Sequence, residues 1–196
     1  FISTMANMFI IFGLVTYATK GVSFGAIDPA IPNIFIPKAG RFPMIILWAI
    51  IAVVVVWFIW NKTTFGKNLY AVGGNPEAAT VSGISVFKVT MGAFIMAGIL
   101  YGFGSWLECL RMVGSGSAAY GQGWDMDAIA ACVVGGVSFT GGIGKISGVV
   151  TGVLIFTSLT YSLTILGIDT NLQFIFEGII ILAAVTLDCL KYVQKK

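Results

Sequence analysis

Long stretches without a charged residue constrain this chain more than any other feature of its sequence. Four of them approach or exceed the roughly 20 residues that a helix needs to cross a bilayer: residues 42–61, 89–107, 128–144 and 146–168. Residues 1–19 have the same character, as do residues 172–190 apart from Glu177 and Asp188. With 58% hydrophobic and 10% charged residues, a water-soluble fold could not bury the apolar surface. We therefore predict an all-α, polytopic helical membrane protein with about six spans.

The lysines and arginines predict how these spans are oriented, because short loops rich in them tend to stay on the cytoplasmic side. Seven of the eleven lie in three alternate connections: Lys62, Lys67, Lys88, Lys145, Lys191, Lys195 and Lys196. Most acidic residues fall in the opposite set of connections. We therefore predict that residues 61–88 form a cytoplasmic loop and that the proline- and glycine-rich residues 20–42 form an external one.

The loop of residues 61–88 contains the signals of a short helix. Asn75 is a residue type that caps the first backbone amides, and Pro76 suits the first helical position because it lacks an N–H. Glu77 follows where the helix dipole favours a negative charge, and Gly83 supplies a stop. We predict about two turns of helix, too short to be stable alone in water. From the pattern alone, a capped surface helix is more often a structural feature than a functional one.

The loop and the spans that follow it carry longer runs with a distinctive sequence. They are FGKNLYAVGGNPEAA at residues 65–79, SGI at 82–84, DAIAACVVGGVSF at 127–139, GGIG at 141–144 and LDCLKY at 187–192. These runs resemble ribose and galactose type permeases of ATP-binding-cassette importers, over most of the chain after Asn61. In that family the short cytoplasmic helix is the coupling helix, which docks on the ATPase subunit. The resemblance assigns this contact to Gly73, Gly74, Asn75, Pro76, Glu77, Ala78, Ala79, Val81 and Gly83.

The same resemblance implies the protein's surroundings. The chain is expected in the bacterial inner membrane as residues 1–196 of a single transmembrane permease domain that lacks its N-terminal spans. The implied partners are an ABC ATPase subunit, a second permease copy, a periplasmic sugar-binding protein and the lipid bilayer. The implied cargo is a monosaccharide, galactose or a galactoside, with a ribose-like sugar as the other option. No cofactor is expected on this chain, since ATP and Mg²⁺ belong to the ATPase.

Small and aromatic residues inside the spans suggest two further roles. Glycines set four apart let helices approach closely, either for packing or as sliding surfaces: Gly98 with Gly102, and Gly148 with Gly152. Aromatic rings on the span of residues 89–107 could line a sugar pathway, although packing or lipid contact is the commoner role for any single ring of this kind. The pathway candidates are Phe94, Tyr101 and Trp106.

Several classes of function are disfavoured. The window ending at Gly144 and Lys145 begins with Phe139 instead of glycine, and Ile146 replaces the required Ser or Thr, so it is not a Walker A loop. The chain has no histidine and no mid-span aspartate, which disfavours the usual intramembrane proteases, and no catalytic or metal-ligating residues are predicted. Its small net charge of +3 does not suggest a nucleic-acid partner. An ion-coupled sugar carrier or facilitator remains the alternative, followed by a non-transporting scaffold.

Overall fold

The structure, a computed structural model, describes residues 2–23, 25, 28, 30–39, 42–112, 116–117, 119–138, 140–169, 172–176, 178–180, 182–183 and 186. Two compact units are present, one made of Phe1–Ala52 with Phe94–Gln122 and the other of Val53–Ala93 with Gly123–Lys196. In chain order the described elements are α1 (Ile2–Thr19), α2 (Ala30–Phe35), β1 (Lys38–Ala39), β2 (Phe42–Pro43), α3 (Ile45–Lys62), α4 (Thr64–Gly74), α5 (Pro76–Val81), α6 (Val86–Arg111), α7 (Trp124–Val134) and α8 (Ile146–Ile165).

Four of these helices, α1, α3, α6 and α8, are long and apolar enough to cross a membrane. They contain 18, 18, 26 and 20 residues. At the usual rise per residue that is about 27 to 39 Å, close to or longer than a hydrocarbon core of about 30 Å. Large apolar side chains along them are exposed, for example Ile50 at 58%, Phe58 at 56% and Leu154 at 62%. Lipid tolerates such a surface and water does not. The predicted class, a polytopic helical membrane protein, is confirmed.

The predicted crossing at residues 128–144 is wrong. Helix α7 contains 11 residues and ends at Val134, which gives a length of only about 17 Å. The chain then turns through Gly135 and Gly136, and Gly136 has φ +81°, a conformation that a continuing helix does not use. The absence of charged residues therefore indicated an apolar segment here, but it did not indicate a continuous helix. Part of the predicted sixth crossing at residues 172–190, including Glu177 and Asp188, lies outside the described residues.

In the first unit, aromatic side chains fasten α2 to two longer helices. The indole Nε1 of Trp48 in α3 donates a hydrogen bond to the Phe35 carbonyl oxygen at 3.0 Å. The ring of Trp106 in α6 lies 5.0 Å from that of Phe35, and Phe103 lies 5.9 Å from Trp48, both edge to face. Such pairs add to the energy of area burial. The described part of the segment between α1 and α3 is thus folded, and β1 and β2 form a two-residue antiparallel pair within it.

In the second unit, α7 and α8 pack closely. Ala130 and Ala131 of α7 and Phe156 of α8 are buried there. The approach is possible because α8 carries Gly152 where it meets α7: an added Cβ would overlap the Ala131 carbonyl oxygen and lie 2.7 Å from the Gly135 nitrogen. Small residues at a crossing let two backbones approach in the way that is common among membrane helices.

Candidate functional site

The sequence of residues 61–88 contains two consecutive helices, of which α5 is the one predicted from the sequence. The Asn75 side chain caps it, because Oδ1 accepts hydrogen bonds from the Glu77 amide at 3.0 Å and the Ala78 amide at 3.1 Å. Pro76 occupies the start of the helix and Glu77 its first turn. These bonds satisfy donors that a helix start leaves without partners. The predicted short helix and its N-terminal signals are confirmed.

The predicted stop of α5 is also present. Ser82 is the C-cap, and Gly83 follows with φ +81°. The Gly83 amide donates to the Thr80 carbonyl and the Ile84 amide to the Ala79 carbonyl, both at 3.0 Å. This pair of bonds is the Schellman arrangement, which favours glycine because it requires a left-handed backbone. Both ends of this six-residue helix are therefore closed by its own sequence.

The two sides of α5 differ in exposure. Ala79 is buried at 4%, whereas Val81 is 90% exposed, and Asn75, Pro76, Glu77 and Ala78 are also exposed. An apolar side chain as exposed as Val81, beside a small Ala78, is a surface that a partner protein could cover. Among the residues assigned from the sequence, Ala79 therefore anchors the helix, and the exposed set is available for contact.

Helix α4 was not predicted from the sequence. The Thr63 hydroxyl caps it by accepting from the Gly66 amide at 3.3 Å. Gly66 lies so close to the end of α3 that a Cβ would overlap the Trp60 carbonyl oxygen. At the far end, the Asn75 amide donates to the Ala71 carbonyl at 3.1 Å, so Asn75 closes α4 and caps α5. The signal that could have revealed α4 is the helical spacing of its apolar residues, Phe65, Leu69 and Val72.

The C-terminal half of α4 packs against the turn that precedes α8. The Tyr70 hydroxyl donates a hydrogen bond to the Gly144 carbonyl oxygen at 2.7 Å. A Cβ on Gly73 would lie 2.7 Å from the Gly142 nitrogen, and one on Gly142 would lie 2.7 Å from the Gly74 Cα. Only glycine permits this approach, since Gly142 also has φ +71°. We call this set, Tyr70, Gly73, Gly74, Gly141, Gly142 and Gly144, the glycine clasp.

A cavity of about 290 Å³ opens beside the glycine clasp. Trp60, Leu69 and Tyr70 line it from α3 and α4, and Cys132 lines it from α7. Its remaining walls come from the turn and the start of α8: Val137, Ser138, Gly141, Gly142, Ile143, Gly144, Lys145, Ile146 and Val149. Its walls are largely apolar, with Lys145 as the one ionisable amine among these lining residues.

The structure separates the other residues singled out from the sequence. Gly148 and Gly152 lie where α8 crosses α7, and Cβ atoms there would overlap the Gly135 and Ala131 carbonyl oxygens respectively. Cβ atoms on Gly98 and Gly102 would meet nothing within 4 Å among the described residues. The two four-residue spacings therefore have different surroundings, although they look alike in the sequence.

The three pathway candidates on α6 also differ. Phe94 and Tyr101 are 60% and 73% exposed, whereas Trp106 belongs to the ring cluster that holds α2. Trp106 therefore has a structural role in its unit. Exposure of Phe94 and Tyr101 is equally compatible with contact to lipid or to another chain.

A polar cluster lies at the end of α6. The Arg111 guanidinium pairs with the Glu108 carboxylate, with Nε 2.9 Å from Oε2. The Tyr120 hydroxyl donates to Glu108 and accepts from Arg111 Nη2 at 3.1 Å. Its hydrogen bond to the Glu108 carboxylate raises the pKa of Tyr120 above its ordinary value. The cluster ties the segment after α6 back to that helix.

The described residues contain four apolar helices of membrane-spanning length. The connection between two of them, α3 and α6, is folded into the helix pair α4 and α5. These features define a polytopic membrane protein. Comparison with known proteins gives the family. The chain belongs to the family described as branched-chain amino acid transport system / permease component, whose sequence pattern matches residues 1–185.

Several curated relatives are similar along the chain. The galactose/methyl galactoside import permease proteins of Treponema pallidum and Escherichia coli are 55% and 45% identical to it over its whole length. The ribose import permease protein of Bacillus subtilis is 36% identical over 96% of it. The chain spans 38%, 60% and 59% of the length of these three relatives. No solved structure gives a significant match.

Proposed function

We propose that this chain is part of the membrane-spanning subunit of an ATP-driven importer that moves a monosaccharide across the bacterial inner membrane. In this proposal α5 is the coupling helix, and it contacts a separate ATPase subunit that holds ATP and Mg²⁺. A second permease copy and a periplasmic sugar-binding protein complete the transporter. The observation that carries the proposal is α5 itself, closed at both ends by its own sequence and joined by short connections to the helices beside it.

The proposed cargo is galactose or methyl galactoside. The relatives at 45% to 55% identity are import permeases named for these sugars. An L-arabinose permease of Escherichia coli and a ribose permease of Bacillus subtilis are 35% and 36% identical. The family description names amino acids, but the gradation of identity supports a sugar, with galactose ahead of the pentoses.

The proposed contact with the ATPase uses the exposed side of α5. Pro76, Glu77, Ala78 and Val81 are exposed, and the small Ala78 leaves room for a groove wall to approach closely. Glu77 also strengthens the helix by its charge at the positive end of the dipole. Ala79 faces the protein, and Gly73 packs against Gly142, so these two residues position the helix and do not touch the partner.

The test is an Ala78→Trp variant in the complete subunit, reconstituted with its ATPase and binding protein. A large ring at the centre of the contact should weaken ATPase binding by at least about tenfold and abolish ATP-dependent galactose uptake. Thr64→Trp is the matched control, because Thr64 is exposed in α4 outside the proposed contact. Unchanged ATPase affinity in Ala78→Trp would overturn the assignment of α5. Galactose uptake by wild-type vesicles without any ATPase would support an ion-coupled carrier or facilitator instead.

A further inference from the structure

We infer that the glycine clasp is a second connection by which movement of the coupling helix reaches the membrane, with Tyr70 and Gly142 as its positioning residues. This inference rests on the proposed function, because it takes α5 as the element that the ATPase moves. The first connection is the chain itself, which runs from α5 through Gly83 into α6. The second leaves α5 in the other direction, passes along α4 and crosses by contact to the turn before α8.

The first step of this lateral route is the junction at Asn75. Its side chain caps α5 through the Glu77 and Ala78 amides, and its own amide closes α4 through the Ala71 carbonyl. One residue thus holds hydrogen bonds to both helices. A displacement of α5 therefore strains the end of α4 unless α4 follows, and Gly73 and Gly74 are the residues directly before this junction.

The second step is the contact between α4 and the turn. Backbone meets backbone there, with no side chain between Gly73, Gly74 and Gly142 that could change rotamer and absorb the movement. A Cβ on Gly141 would lie 2.9 Å from the Gly73 carbonyl oxygen, so the approach extends over consecutive residues. The hydrogen bond from Tyr70 to Gly144 adds a directional attachment one helical turn away. Such a contact transmits small displacements because packed backbones have little slack.

The third step leads from the turn into the helix pair α7 and α8. The Ser138 amide donates to the Ile143 carbonyl at 2.9 Å, and the Val137 amide to the Cys132 carbonyl at 3.0 Å, which hold the turn to the end of α7. Lys145 then begins α8 by accepting from the Val149 amide. Since Gly152 packs against the α7 backbone, the two helices should move together. The route therefore ends on α8, which is long and apolar enough to span the bilayer.

The more selective of two test variants is Tyr70→Phe, which removes only the hydroxyl that donates a hydrogen bond to the Gly144 carbonyl oxygen. The complete subunit is reconstituted with its ATPase and binding protein, and galactose taken up per ATP hydrolysed is measured. The ratio should fall by about twofold to tenfold, the equilibrium range of one hydrogen bond, while affinity for the ATPase stays within about twofold of wild type. Tyr17→Phe makes the same chemical change on α1, where Tyr17 is 86% exposed, and should keep the wild-type ratio.

The second variant is Gly142→Ala, matched with Gly136→Ala. Both glycines have positive φ, +71° and +81°, so both alanines carry similar backbone strain. Only the alanine at 142 meets another backbone, since a Cβ at Gly136 has nothing described within 4 Å. Gly142→Ala should therefore lower the ratio of sugar to ATP more than Gly136→Ala does. Should Gly142→Ala fail to fold, Tyr70→Phe decides the question alone.

The outcomes separate this inference from the proposal on which it rests. If wild type requires the ATPase but Tyr70→Phe keeps the wild-type ratio of sugar to ATP, the lateral route is wrong and the coupling helix stands. If Tyr70→Phe loses ATPase binding in parallel with transport, Tyr70 only stabilises the fold of α4, and the inference is overturned. If wild type takes up sugar without an ATPase, the proposed function and this inference fail together.

Discussion

Replacing Asn75 with alanine tests whether the side chain that caps α5 holds this helix in its folded form. The change removes the Oδ1 acceptor of the Glu77 and Ala78 amides, at 3.0 and 3.1 Å, and leaves the Asn75 backbone bond to Ala71 in place. Loss of an asparagine cap costs about 1 kcal/mol, within a range of about 0.5 to 2. At about 1.4 kcal/mol per factor of ten, the equilibrium between folded and frayed α5 shifts about fivefold. The shift matters because a six-residue helix has little stability of its own.

Hydrogen exchange measures this fraying directly in the reconstituted complete subunit. The Ala79 amide, whose hydrogen bond to the Asn75 carbonyl closes the first turn of α5, should exchange up to about fivefold faster in Asn75→Ala. ATPase affinity should also fall, by at most the same factor, because the partner must first refold the frayed fraction of the helix. Asn75→Asp retains an oxygen acceptor and should keep wild-type behaviour. If the alanine variant exchanges and binds like wild type, the cap does not hold the helix, and the reasoning that α5 is preformed for its partner is refuted.

Two further predictions concern the two units separately. Gly152→Ala should lower the melting temperature in detergent, since its Cβ overlaps the Ala131 carbonyl and overpacking costs about 1 to 3 kcal/mol; Gly98→Ala, with open space around its Cβ, should leave it equal or higher. Glu108→Gln should bring the pKa of Tyr120 back toward that of an ordinary phenol, so tyrosinate absorbance, corrected with Tyr120→Phe, appears at lower pH than in wild type. The raised pKa means that this hydrogen bond stabilises the native cluster below the ordinary phenol pKa and is lost as pH rises through the raised value.

How much the sequence could predict depended on the range of the interaction concerned. The cap of α5 joins Asn75 to residues two and three positions away, and its stop is equally local, so residue types alone predicted both ends. The hydrogen bond from Tyr70 to Gly144 joins residues 74 positions apart. Nothing in the residue types says which glycines will meet across such a distance. Gly98 with Gly102 and Gly148 with Gly152 have the same spacing, yet only the second pair meets a described neighbour.

The failed prediction at residues 128–144 has a related cause. Hydropathy measures compatibility with lipid, and the apolar residues on both sides of the turn satisfy it. It does not measure whether the backbone is helical, which here changes at Gly135 and Gly136. Two consecutive glycines favour a turn over a continuing helix, so local backbone preference is the better guide at this position.

Because the buried core is small, close backbone contacts at glycines are important for specifying how the helices pack. Few apolar side chains are buried in the described part of the chain, and the helices of spanning length are 0% to 11% buried. In lipid, burying a leucine against another helix gains little, because the tails that it leaves are equally apolar. Close backbone packing and hydrogen bonds therefore have to specify which surfaces meet. Gly152 does so at the crossing of α7 and α8, and the glycine clasp does so between α4 and the turn. A single methyl group added at either place should consequently disturb this protein more than the loss of a large exposed side chain such as Phe58 or Leu154.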